Sequence, residues 1–214
     1  MYKDLMTINS YRLRLAVDAC IDHHYVIAQR VLRPETAGVL RDVCSRLEYR
    51  PNLQMAVFQQ FEYVKFTKGE WPEELQWLVA HVEDMVRGRA RARARCGLMR
   101  WNVNEIVVQR YASYPHEGPP YAIEWHRDFA RDKLLVAIFT VSGLAQFEIE
   151  TAESGIKHYL ICPGDLTLLA GPDVLTTHDP RLRHRVSTNL TYEPRISIAL
   201  RMNLAERDGS LDYA

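Results

Sequence analysis

The spacing of apolar residues changes character about halfway along the chain. In the first half, two stretches carry apolar residues at helical intervals. One opens at Pro34-Glu35-Thr36 and runs to about Leu47; proline is tolerated in the first turn of a helix, and an early acidic residue suits its positive end. The other begins near Trp71-Pro72-Glu73-Glu74 and continues to about Cys96, where Gly97 stops it. Residues 25–32 read as a strand, and 54–67 as an extended aromatic segment carrying Phe58, Phe61, Tyr63 and Phe66. Residues 1–22 are expected to form an N-terminal extension, with Tyr11-Arg12-Leu13-Arg14-Leu15-Ala16-Val17 a candidate strand, and residues 23–214 a single domain. From Val103 onward strands and turns dominate, at about 103–112, 121–128, 134–142, 145–151, 157–161, 165–170, 182–187 and 194–203. Helices first and strands afterwards predict an α+β domain. Many short strands converging on one place predict a double-stranded β-helix, or jelly-roll, core flanked by N-terminal helices.

Three of these strands carry chemistry on one face. In Ala122-Ile123-Glu124-Trp125-His126-Arg127-Asp128, residues i and i+2 project together, so His126 and Asp128 can share a metal while Arg127 points away. In Leu182-Arg183-His184-Arg185-Val186 the histidine shares its face with two apolar residues, opposite Arg181, Arg183 and Arg185, and so points inward. In Arg195-Ile196-Ser197-Ile198-Ala199-Leu200-Arg201 the odd-numbered positions form a polar face suited to a pocket, while Ile196, Ile198 and Leu200 face a core. One carboxylate and two imidazoles make the facial triad of non-haem Fe(II) oxygenases, which leaves coordination positions open. An arginine meets a carboxylate through two parallel hydrogen bonds, so the downstream arginines suit a dicarboxylate cosubstrate. His178, in the loop Thr176-Thr177-His178-Asp179-Pro180, is the rival third ligand; without apolar alternation around it, it ranks below His184.

Composition narrows the class. The chain has 214 residues, enough for one domain with a sizeable core. Lys+Arg and Asp+Glu both total 27, and this balance argues against a strong non-specific polyanion binder. No apolar run reaches the length of a membrane span, and the N-terminus lacks a charged-then-apolar signal pattern. Cys20, Cys44, Cys96 and Cys162 show no CxxC pairing and read as reduced, mostly buried thiols of a cytoplasmic protein; a monomer is expected. Only 10 residues are glycine, with no Walker pattern and no Ser-His-Asp relay.

The stretch Trp101-Asn102-Val103-Asn104-Glu105-Ile106-Val107-Val108-Gln109-Arg110-Tyr111, followed by His126-Arg127-Asp128, resembles the entry to the core of an AlkB-type oxygenase. Gly164-Asp165-Leu166, His184 and the step from Arg195 to Arg201 continue the resemblance, and Phe66-Thr67-Lys68-Gly69-Glu70-Trp71-Pro72 resembles that family's substrate lid. The family depends on Fe(II) and uses 2-oxoglutarate and O2 as cosubstrates. The resemblance implies that His126, Asp128 and His184 bind iron and that Arg195, aided by Tyr111, grips the distal carboxylate of 2-oxoglutarate. Arg201 is then the residue nearer the metal-bound end. Gln109 and Ser197 stand where the family usually has asparagines, and Ala130 stands where its repair enzymes often carry a base-reading acid, with Asp132 two residues too far along. The implied reaction is hydroxylation or oxidative demethylation of an organic substrate, coupled to conversion of 2-oxoglutarate to succinate and CO2.

For the substrate, the first expectation is an alkylated nucleobase sandwiched among Tyr63, Phe66, Trp71 and Trp125, although aromatics at strand spacing more often pack a core. The run Arg87-Gly88-Arg89-Ala90-Arg91-Ala92-Arg93-Ala94-Arg95 is then a candidate phosphate contact, although cations at the negative end of a helix explain it equally well. The alternatives are a hydroxylase of a small metabolite, amino acid or peptide, and, more remotely, a non-catalytic cupin-like metal-binding module. The proline-rich segment from Tyr114 to Tyr121 suits the second reading.

Overall fold

A computed structural model of the chain describes residues 6–52, 61–94, 97–111, 121–152, 154–172, 181–187 and 190–204. The first element is a helix, α1 (Ser10–His23), where a strand is expected at 11–17. Leu13, Ala16, Val17, Cys20 and Ile21 recur at three- and four-residue steps and are buried, and the Asn9 side chain caps the Arg12 N–H. Over seven residues the alternation mimics a strand; over fourteen, the helical stripe wins. Strand β1 (Tyr25–Ala28) and helix α2 (Pro34–Ser45) follow, then a short β2 (Arg50–Pro51) and β3 (Glu62–Thr67). Helix α3 (Glu73–Ala92) stops short of the Gly97 expected to end it, and a 3-10 turn (Leu98–Arg100) leads into the strands.

Eight strands complete the chain: β4 (Glu105–Tyr111), β5 (Tyr121–His126), β6 (Asp132–Ser142), β7 (Ala145–Thr151), β8 (Gly155–Ile161), β9 (Leu166–Ala170), β10 (His184–Ser187) and β11 (Arg195–Asn203). They form a seven-stranded sheet of order β1-β9-β6-β11-β4-β3-β2 and a four-stranded sheet of order β5-β10-β7-β8, with every pairing antiparallel. This is the expected α+β jelly-roll.

Two cores follow from alternation along the larger sheet. Ile196, Ile198, Leu200, Ile106, Val108, Phe139 and Leu168 face the helices and pack with Leu40, Leu78, Val82 and the fully buried Trp101. Trp101 donates its indole N–H to the Leu135 carbonyl at 2.8 Å, which satisfies the one polar group it brings inside. The opposite face of the same sheet meets the smaller sheet through Tyr111, Val136, Leu169, Phe147, Ile149 and Val186. Glu105, Gln109 and Tyr111 of β4 and Arg195, Ser197 and Arg201 of β11 alternate onto the face of this second layer.

Candidate metal centre: a histidine–aspartate cluster and an enclosed arginine

β5 ends on His126, and β10 begins on His184 directly opposite it in the register. Their rings lie 4.3 Å apart, and Phe147 stacks on His184 at 5.4 Å. Asp128 follows two residues beyond His126. Ligand-capable atoms of His126, Asp128 and His184 all lie within 4.8 Å of one another, a donor set that fits one metal ion. His126 Nδ1 donates to the Glu124 carbonyl at 2.8 Å and His184 Nδ1 to the Leu182 carbonyl at 3.1 Å. Since a carbonyl only accepts, each Nδ1 carries a proton, and Nε2 is the ring nitrogen available to a metal. Asp128 Oδ2 is enclosed and has no hydrogen-bond partner among the described residues.

Electrostatics keeps the cluster in its ligating state. Burial, and next the neighbouring His184, lower His126 to about 4, so that it is neutral at physiological pH. For Asp128, burial pushes the carboxyl upward, but His184, Arg201, His126 and Arg181 together outweigh it and hold the group below its ordinary value. Two arginines that the sequence reading set on the outward faces also join the ligand-bearing segments. Arg127 Nε donates to the Arg181 carbonyl at 3.1 Å, and Arg181 Nη1 donates to the Asp128 carbonyl at 2.8 Å. This reciprocal clamp crosses more than fifty residues of sequence and so has no local signature. His178 lies outside the described residues.

Across the intersheet layer, β11 pairs with β4 so that Arg195 stands opposite Tyr111, Ser197 opposite Gln109 and Arg201 opposite Glu105. Arg195 is 2% exposed and its guanidinium carbon lies 4.5 Å above the Tyr111 ring. Its Nε and Nη1 are enclosed with no hydrogen-bond partner among the described residues. A buried cation left in this way is strongly unfavourable and calls for an anion. Ser197 and Tyr111 both donate to Gln109 Oε1, at 3.3 and 3.1 Å, so these three residues form a fixed wall beside it. Tyr111 and Phe147 belong to the same buried cluster. The histidines and Arg195 therefore line one interior.

The candidate substrate aromatics do not converge. Tyr63 stands opposite Gln109 in the register and so shares the inward face of the sheet. Trp71 instead packs against the helix-side core, because the chain turns out of the sheet after Thr67. Trp125 alternates with His126 and lies under Arg183 and Arg185, 5.6 and 4.7 Å from its ring. These two depart from the base-sandwich expectation. Asp132 does not take the base-reading place either: it is 1% exposed and faces Arg201 at 3.5 Å. In the arginine run, Arg89 forms a bidentate pair with Asp18, Arg93 pairs with Asp22 and Arg87 with Glu83. Much of that run ties α3 to α1.

No protein-family model matches the sequence, and no curated protein does either. Solved structures do match the fold. A Pseudomonas putida prolyl-4-hydroxylase superposes with a TM-score of 0.66 at 15% identity, over 89% of this chain and 98% of that one. The full-length Neurospora crassa T7H in complex with alpha-KG gives 0.63 at 10% identity, over 91% and 79%. OsALKBH1 gives 0.58 at 12% identity, over 84% and 98%. Fold and site together define a double-stranded β-helix protein with an inward His-Asp-His cluster. At such identities the likeness is one of fold.

Proposed function

We propose that this chain is a non-haem Fe(II)- and 2-oxoglutarate-dependent dioxygenase that hydroxylates or oxidatively demethylates an organic substrate. The observation that carries this reading is the pairing of a three-residue donor set with a guanidinium whose enclosed Nε and Nη1 have no acceptor among the described residues. His126, Asp128 and His184 would hold the metal through two imidazoles and one carboxylate. Arg195 takes the distal carboxylate of 2-oxoglutarate, which supplies the acceptors that the guanidinium lacks. Tyr111, Gln109 and Ser197 fix the wall beside that carboxylate, and Arg201 adds positive charge near the metal-bound end. The apolar residues between the sheets exclude water from both ends of the cosubstrate. Bound iron would supply the activation of O2, coupled to loss of CO2 from 2-oxoglutarate.

For the primary substrate, an alkylated nucleobase remains one reading. The ion pairs that occupy Arg89 and Arg93, and the outward turn of Trp125, favour the other: hydroxylation of a small molecule, amino acid or peptide by a monomeric, cytoplasmic enzyme. The P. putida neighbour is a prolyl-4-hydroxylase. Succinate release, measured with a methylated oligonucleotide and with a panel of amino acids and peptides, separates the two.

The cosubstrate assignment is tested on Arg195→Ala. Removing one partner of a buried charge pair costs about 2–5 kcal/mol, or roughly 30- to several-thousand-fold in affinity. Titration of 2-oxoglutarate into the anaerobic Fe(II) protein, followed by its visible charge-transfer band, should show that loss while Fe(II) affinity is nearly unchanged. An unaltered 2-oxoglutarate dissociation constant removes the assignment.

A further inference from the structure

The charged groups between the sheets do not end at the two arginines of β11. Glu105 lies on the inward face of β4 and is wholly buried. Lys65 of β3 forms an ion pair with its Oε2, and Asn203 Nδ2 donates to the same oxygen at 3.1 Å. Its other oxygen, Oε1, faces Arg201 Nη1 at 3.8 Å. Asp132 approaches that same nitrogen at 3.5 Å from β6. Glu105 Oε1 and both Asp132 oxygens are enclosed and have no hydrogen-bond partner among the described residues, so Arg201 is the cation they share. Asn104 and Asn203 exchange two hydrogen bonds, at 2.6 and 2.7 Å, and pin the end of β11 to the chain entering β4 at this level. Two cations and two carboxylates thus alternate, Lys65, Glu105, Arg201 and Asp132, across the neighbouring strands β3, β4, β11 and β6.

We infer that Glu105 is a positioning residue: anchored by Lys65 and Asn203, it acts with Asp132 to hold the Arg201 guanidinium at the metal end of the interior. The inference rests on the function proposed above. A buried ion network is a poor device for stability, because desolvation consumes most of what the pairing returns. It is a good device for placing a long side chain. An arginine flanked by carboxylates on two strands loses the rotamer freedom that would spread its charge. The charge so placed acts on both Asp128 and His126. A carboxylate that held Arg201 for packing alone would affect stability, not the geometry of what binds at the cluster.

Glu105→Gln keeps the shape and removes the charge. In this variant Fe(II) affinity should stay within about twofold, while the band of the anaerobic Fe(II)–2-oxoglutarate complex moves or weakens. Succinate formation without primary substrate should fall roughly tenfold in kcat, with KM for 2-oxoglutarate little changed, a size typical of coupling between touching residues. Because Glu105 is argued to act through Arg201, Glu105→Gln combined with Arg201→Lys should be no slower than Arg201→Lys alone. If Glu105→Gln does not fold, Lys65→Met with Glu105→Gln removes both charges together, and the same band and rates are read on that pair. A wild-type band and kcat in the charge-free variant, or losses that multiply in the combination with Arg201→Lys, overturn the inference alone. Absence of any band in the wild-type protein overturns the reading of the site, and this inference with it.

Discussion

The ligand roles proposed for His126, Asp128 and His184 are tested by substitution. His126→Ala, Asp128→Ala and His184→Ala should each abolish turnover and sharply weaken Fe(II) binding, since three ligands leave little redundancy. His178→Ala should leave Fe(II) affinity nearly intact; calorimetry that found the reverse ranking of His178 and His184 would make His178 the third ligand. The protonation of His126 gives a second test. Its value falls from 6.5 to about 4 in the fold, burial being the main cause and His184 the next. Between those values the unfolded chain binds a proton that the folded one refuses, so stability rises with pH. The contribution is fully present above about 6.5 and lost as pH falls through about 4, amounting to on the order of 3 kcal/mol at most. Denaturant unfolding of chelator-treated protein near pH 7 and near pH 4.5 should show this dependence, and His126→Gln should show less of it. Parallel pH profiles in the two proteins would mean that His126 is not held neutral.

At the scale of elements, the site depends on how closely the turn between β6 and β7 approaches β11. Gly143 has φ +71°, and a Cβ there would lie 2.6 Å from the Arg195 Cα and 2.7 Å from its Cβ. Gly143→Ala therefore combines backbone strain with a clash against the first residue of β11. It should cost about 2–4 kcal/mol in stability and weaken 2-oxoglutarate binding by displacing Arg195. Gly155, in the turn before β8, also has positive φ (+69°), but nothing lies within 4 Å of its missing Cβ. Gly155→Ala should then cost only about 1 kcal/mol and spare the cosubstrate. Thermal melts and the anaerobic titration, run on both variants, check the contrast; equal loss of affinity in both would show that the turn does not set Arg195. Most strands of this architecture were legible in sequence, because period-two alternation survives wherever a strand has two different faces, as in β11. The first helix was not. Leu13, Leu15 and Val17 alternate with arginines and an alanine, and only the later Cys20 and Ile21 extend the helical stripe.

Over the whole molecule, the seven-stranded sheet contributes one face to each core, so neither core persists without the other. Unfolding of the apo protein should be a single transition by circular dichroism and by tryptophan fluorescence. Ligands that bind only the fold should raise it: Fe(II) with 2-oxoglutarate at 100 times its dissociation constant should add about 2.7 kcal/mol. In Arg195→Ala, the increment from 2-oxoglutarate at the same concentration should fall below about 1 kcal/mol while that from Fe(II) remains. An unchanged melt of the wild-type protein on adding both would argue against a joint site. The sequence by itself determined the chain's class of fold and the inward residues of β10 and β11, because residue alternation is a local property that needs no knowledge of the chain's path. It also put His126 and Asp128 two residues apart, near enough to share a metal. Only the tertiary structure decided which arginines are spent on ion pairs, as when Arg89 finds Asp18 71 residues away. Likewise it decided that Trp125 lies outside, that Trp71 belongs to the helices, and that Glu105 meets Arg201. Those outcomes depend on which strand lies beside which, and that is set by the packing of the whole chain.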